Sequence, residues 1–143
     1  MYECSCLCRS VRFEIKANLN HAINCHCKSC RKSNGSQFVT VLVVLPDNLK
    51  FITGENKVKR FPVDESKTGR YVCEECGSKL FAEMAKGLPY SVYTSSLENE
   101  EEVQVMAHTN VGSKSPVCKI NDNIPQFEGQ ISRDEYISLV SKT

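Results

Sequence analysis

Apolar and polar residues along most of this chain alternate with the period of a strand, not that of a helix. Val11, Phe13 and Ile15 alternate with Arg12 and Glu14, which predicts a strand with one face buried. Residues 38–45 (FVTVLVVL) are apolar on both faces, rich in β-branched side chains and bounded by Gly35 and Pro46, so they predict a central strand. The stretches 49–53 and 57–61 flank a turn at Gly54 and predict a hairpin. Residues 62–69 read as a polar loop, while 70–73, 80–84, 90–93 and 103–109 predict further short strands.

Helical signals are confined to two places. One turn is predicted at 28–34, stopped by Gly35. Near the end, Ser132 followed by Glu135 makes a capping-box signature ahead of Tyr136, Ile137, Leu139 and Val140, so a short C-terminal helix is expected at about 132–141. Without a repeat, a low-complexity tract or a linker, the 143 residues predict one mostly β domain.

Charge narrows the function classes. With 18 basic and 17 acidic residues the net charge is +1, which argues against a general nucleic-acid binder and against a membrane-surface protein. The apolar run at 38–45 is too short to span a bilayer. The acidic stretch 98–102 reads as a solvated loop, lacking the spaced Asp and Gly residues of a calcium site. The outlier is the cysteine content, nine in all. Residues 1–12 are polar and studded with cysteine, unlike a signal sequence, so a soluble, cytoplasmic chain with reduced thiols is expected.

Those thiols are spaced for metal. The centre of the pattern is Cys25-His26-Cys27-Lys28-Ser29-Cys30. In an extended segment Cys25 and Cys27 point to one side and His26 to the other. The two-residue gap then lets a tight turn bring Cys30 to the same ion. Thiolates select zinc over the oxygen-preferring metals. Three protein ligands leave a position for substrate, as in catalytic zinc sites; a closed version would take His26, His108 or Cys118 as the fourth. A second half-site, Cys73-Glu74-Glu75-Cys76-Gly77, calls for two partners from Cys4, Cys6 and Cys8, which would all face one way on an extended strand. Such a four-thiolate site would be structural and would tie the first strand to the middle of the chain. A thioredoxin-like redox pair at Cys73 and Cys76 is disfavoured, because no βαβ pattern surrounds it.

Cys6-Leu7-Cys8, Cys25-His26-Cys27-Lys28-Ser29-Cys30-Arg31 and Cys73-Glu74-Glu75-Cys76-Gly77-Ser78, followed by Lys114-Ser115-Pro116 and Ile124-Pro125-Gln126-Phe127, together resemble the glutathione-dependent formaldehyde-activating enzyme family, the CENP-V/GFA domain. The likeness runs from about Cys4 to Gly129. It implies an Mss4-like, zinc-clipped β-sheet domain with two zinc ions, a structural one on Cys6, Cys8, Cys73 and Cys76 and an exchangeable one on Cys25, Cys27 and Cys30. Cys4 and Cys118 are then spare thiols. The implied activity is that of a carbon-sulfur lyase acting on S-hydroxymethylglutathione, the adduct of glutathione and formaldehyde, or on a related thiol adduct.

Three thiolates on a divalent ion give a net charge of −1, which suits exchange of a thiolate better than generation of hydroxide. Lys28, Arg31 and Lys32 are candidates for binding glutathione carboxylates, and His26 and His108 for proton transfer near neutrality. Two other readings compete: a non-catalytic zinc-binding interaction module, and a glutathione carrier without turnover. The chain departs from the usual family pattern at Cys4 and Arg9, where glycine is usual, and at Val117, where tryptophan is common.

Overall fold

The computed structural model describes residues 1–142; Thr143, the last residue of the expected domain, lies outside them. Its first strands are β1 (Tyr2–Ser5), β2 (Arg12–Ile15) and β3 (Ala22–Cys25), followed by helix α1 (Lys28–Asn34). Then come β4 (Val39–Val44), β5 (Leu49–Thr53), β6 (Val58–Phe61), β7 (Gly69–Cys73), β8 (Lys79–Glu83), β9 (Tyr90–Tyr93) and β10 (Val105–Thr109). Helix α2 (Arg133–Val140) closes the series. The class is mostly β with a short C-terminal helix, as the patterning predicts. At the start of α2 the Glu135 N–H donates to the Ser132 hydroxyl at 3.1 Å while the Ser132 N–H donates to the Glu135 carboxylate at 3.1 Å. Two backbone donors that the helix cannot use are thereby satisfied reciprocally.

The chain divides into two compact units, Met1–Asn18 with Leu42–Glu101, and Leu19–Val41 with the chain from Glu102 onward. In the first, β1-β2-β5 form one antiparallel sheet, and β9, β8, β7 and β6 follow one another as antiparallel neighbours in another. The alternation at 11–15 is realised: Val11, Phe13 and Ile15 are fully buried, while Arg12 on the opposite face donates to Glu3 at 2.5 Å. The Phe13 ring lies 6.0 Å from Phe51 of β5 and 5.9 Å from Phe81 of β8, so aromatic packing joins the two sheets of this unit. A cavity of about 410 Å³ opens among Phe51, Tyr71, Phe81, Tyr90 and Arg60. The Tyr71 hydroxyl donates to the buried Glu83 at 2.9 Å, and burial together with that bond pushes the phenol up to about 12.

Two expectations fail here. Strands β5 and β6 do not form a hairpin; β5 pairs with β2, and β6 with β7. Gly54, at φ 79, leads into a 3-10 turn at Glu55–Lys57 instead of returning the chain on itself. It also packs so closely on the loop before β2 that a Cβ there would lie 2.0 Å from the Ser10 carbonyl oxygen. Only glycine allows this approach, and it aligns β5 beside β2. The extended run through Cys4, Cys6 and Cys8 likewise ends at Ser5. The Arg9 N–H donates to the Cys6 carbonyl at 3.1 Å, closing a turn in which Arg9 adopts φ 62. Cys4 therefore stays on the strand, fully buried, while Cys6 and Cys8 leave with the turn.

In the second unit β10 runs parallel to β3, and β3 antiparallel to β4. Strand β4 supplies its first three residues here and its last three to the other unit. Ala22, Ile23, Val39, Val41 and Ala107 are the buried apolar residues of this sheet. Strand β10 begins at Val105, not at 103, because Gln104 is bonded to Leu19 and Ala22 through its own backbone groups. Helix α1 occupies the predicted residues and stops at Gly35, φ 61, whose N–H donates to the Arg31 carbonyl. No helix among the described residues is long and apolar enough to cross a membrane.

Candidate metal centres

Both cysteine groups are built on turns that leave strand ends. In the first unit the turn after β1 carries Cys6 and Cys8, Cys73 ends β7 and the turn after it carries Cys76; the four sulfurs lie within 4.8 Å of one another. Gly77, at φ 75, gives its N–H to the Cys73 carbonyl at 2.8 Å, the tight turn the sequence predicts there. Cys6 and Cys8 Sγ are 3.6 Å apart and Cys8 and Cys73 Sγ 3.9 Å. A tetrahedral ion with metal–sulfur bonds of about 2.3 Å holds its sulfurs about 3.8 Å apart. Donor type and spacing both fit zinc. Cys4 belongs to the core, where burial pushes its thiol up to about 12.

The environments of the four differ. Burial pushes Cys73 up to about 12. Burial also opposes ionisation of Cys76, but hydrogen bonds from Ser78 and the Cys8 backbone outweigh it and bring the thiol down to about 6. The Ser10 hydroxyl, 3.2 Å from Cys8 Sγ, holds that thiol below its ordinary value. Val11 N–H donates to Cys6 Sγ at 3.3 Å. A backbone N–H given to sulfur in this way favours thiolate and thus metal.

In the second unit Cys25 ends β3, Cys27 is the N-cap of α1, and Cys30 sits in the first turn of that helix. The three sulfurs also lie within 4.8 Å of one another, with Cys25 and Cys30 Sγ 3.7 Å apart. The Cys30 N–H donates to Cys27 Sγ at 3.3 Å, so a thiol does the work that a hydroxyl usually does at a helix start. Asn110 Nδ2 donates to Cys25 Sγ at 3.4 Å. The bond to Cys30 brings Cys25 down to about 5, and the same bond raises Cys30, since one proton serves the pair.

Among the described residues no histidine, carboxylate or further thiol joins these three. His26, His108 and Cys118, the candidates for a closed site, all lie outside that group. His26 turns away from the sulfurs, as strand alternation predicts, and is fully buried with Nε2 3.0 Å from His108 Nδ1. Burial and the neighbouring His108 hold it below its ordinary value. Cys118 lies in a loop whose carbonyl accepts Lys114 Nζ at 2.8 Å. Of the candidate cations, Lys28 and Lys32 are exposed on α1, whereas Arg31 donates to the Ser113 carbonyl at 2.8 Å. Asn110 and Asp122, which is 3.0 Å from His108 Nε2, escape sequence reasoning. Asn110 stands at φ 56, a conformation asparagine tolerates, and this is the one hint the sequence offers.

The family model described as glutathione-dependent formaldehyde-activating enzyme matches residues 1–113. The chain belongs to this family. The match contains all seven grouped cysteines. A Penicillium rubens protein provisionally named a glutathione-dependent formaldehyde-activating enzyme is 38% identical over 88 residues, 59% of this chain and 45% of that protein. A Podospora anserina protein with the same provisional name is 39% identical over 88 residues, 59% of this chain and 40% of its own length. The chain thus spans under half the length of these curated relatives. A crystal structure of a Rhodobacter sphaeroides protein superposes with a TM-score of 0.57 at 18% identity, covering 68% of this chain and 88% of that one, and shares the fold. Arg9, where the family resemblance calls for glycine, has the positive φ that glycine adopts readily, and its guanidinium is tied to Glu98 at 2.7 Å.

Proposed function

We propose that the chain is a zinc-dependent carbon-sulfur lyase that forms or cleaves S-hydroxymethylglutathione, or a related adduct of a small thiol. The observation that carries the reading is the three-cysteine group without a fourth protein donor, in a chain of a glutathione-dependent family. In this reading Cys6, Cys8, Cys73 and Cys76 hold a structural zinc, and Cys25, Cys27 and Cys30 hold a second zinc that exchanges its remaining ligand. Zinc bound to three thiolates would keep a substrate thiol ionised near neutral pH without strongly activating water.

The chain's own residues supply the rest. Asn110 fixes Cys25, and the N-terminal turn of α1 fixes Cys27 and Cys30. The exposed ammonium groups of Lys28 and Lys32 offer partners for the two glutathione carboxylates. Arg31, held by the Ser113 carbonyl, adds positive charge beside them. The balanced reaction adds the glutathione sulfur to the formaldehyde carbon: the S–C bond forms, the C=O π pair becomes an O–H, and the thiol proton is the one transferred. We also read residues 1–143 as a single CENP-V/GFA-like domain of Mss4-like fold, supported by a family match that crosses both compact units. A reducing, cytoplasmic location is supported by nine free thiols.

The test is the rate at which metal-replete protein brings glutathione and ¹³C-formaldehyde to equilibrium with their adduct, followed by exchange NMR. Acceleration over buffer that disappears on chelation is expected. Glutathione binding without acceleration would leave a carrier, and no binding would leave an interaction module.

A further inference from the structure

One strand backs the second cysteine group. Asn24 and Cys25 pair with His108 and Thr109 of β10, and His26 N–H donates to the Thr109 carbonyl at 2.9 Å. Alongside these backbone bonds runs a line of side chains. The Asp122 carboxylate lies 3.0 Å from His108 Nε2, and His108 Nδ1 lies 3.0 Å from His26 Nε2. Both rings are at least 95% buried, whereas the Asp122 side chain is 42% exposed.

The polarity of this line follows from counting donors. An ionised carboxylate only accepts, so the proton sits on His108 Nε2. With both rings neutral, each carrying one N–H, His108 Nδ1 accepts in turn and His26 Nε2 donates. His26 Nδ1 is then bare, and it is buried with no hydrogen-bond partner. A buried acceptor without a donor is destabilising, and an apolar side chain would fill this space without that penalty. The histidine is accounted for by what its other nitrogen holds.

We propose that Asp122, His108 and His26 form a directional hydrogen-bond chain that locks the Cys25–Cys27 turn, making Asp122 a positioning residue for the second cysteine group. Asp122 acts from the surface, through two buried rings, on the residue between two metal-binding sulfurs. It also accepts the Ile124 N–H at 3.0 Å, which fixes the carboxylate where His108 meets it. The inference rests on Cys25, Cys27 and Cys30 holding a metal.

Two variants and one spectrum test it. Asp122 is exposed enough that Asp122→Ala should fold, while Asp122→Asn keeps the shape but can turn an NH2 donor toward His108 and so no longer fixes the direction of the chain. Cobalt titration of each protein reads the two cysteine groups separately, with the four-thiolate group as internal control. Asp122→Ala is expected to weaken binding at the second group by at least about tenfold, the scale on which outer partners of metal sites act. The first group should be unchanged, and Asp122→Asn should weaken the second group as well, because its amide no longer holds the proton on His108 Nε2. Long-range ¹H–¹⁵N NMR of the protein as purified should place the single ring proton of His26 and that of His108 on Nε2. A proton on His26 Nδ1, or loss of cobalt affinity at both groups or at neither, overturns the proposal. If the unsubstituted protein takes up a single ion, the metal reading itself falls, and the ring spectrum alone decides the chain.

Discussion

Cys76→Ser is expected to lower the melting temperature by at least about 10 °C, even in excess zinc. The residue is chosen because its side chain is only partly buried, so serine in its place disturbs little packing. What the change removes is one of four sulfurs clipping the turn after β1 to the turn after β7. Cys8 and Cys73 are 65 residues apart in sequence. Closing a loop of that length restricts the unfolded chain by about 4 kcal/mol on the chain-entropy model used for covalent cross-links. With the ion lost, that alone amounts to about 8–16 °C at about 2–4 °C per kcal/mol for a chain of this size. The affinity of a structural zinc, which counts as folding free energy, would add to it. Calorimetric melting of both proteins, loaded with zinc, checks the expectation. A shift under about 3 °C, or less than about 1 kcal/mol, in protein shown to have lost that ion would mean that the four sulfurs clip nothing.

Cys27→Ser is expected to have the opposite profile, an intact fold with the chemistry gone. Cys27 is the N-cap of α1, accepting the Cys30 N–H, and serine is a better residue for that position. The melting temperature should therefore hardly move. Two thiolates and a hydroxyl bind zinc far less well than three thiolates, so metal content should fall from two ions per chain to one. Adduct exchange should drop by at least about 100-fold, since altering even an outer partner of a metal site typically loses 10–100-fold. Metal analysis and the exchange assay, run on one preparation, check both halves. Retained exchange with one ion would move the reaction away from this group.

How much of this was legible in the chain depended on whether the cause was local. The capping box at Ser132 and Glu135, the stop at Gly35 and the tight turn at Gly77 are written in neighbouring residues, and each forms as read. The cysteine spacing was equally local, because a C-x-C-x-x-C segment can reach one ion without help from the rest of the fold. Strand β3 was missed because Ala22-Ile23-Asn24-Cys25 has weak strand propensity; its neighbours β10 and β4 make it a strand. The false hairpin arose in the same way. Gly54 read as a hairpin turn, but its missing side chain serves a close contact with Ser10 that no local pattern reports.

The same limit applied at the candidate site. Choosing Cys6 and Cys8 over Cys4 needed either the family resemblance or the turn at Arg9, since alternation alone put all three on one face. Asp122 and His108 are 14 positions apart in sequence, and no periodicity connects them. The Arg60, Tyr71 and Glu83 cluster beside the aromatic cavity was equally hidden, because it joins three different strands.

The most direct test of the account is the optical spectrum of the cobalt-substituted protein with and without glutathione. Charge transfer from sulfur to cobalt grows with the number of bound thiolates. The account predicts a gain in that band when glutathione is added, because its thiol enters the position that Cys25, Cys27 and Cys30 leave open. An unchanged spectrum, with both cysteine groups loaded and already four-coordinate, would contradict it.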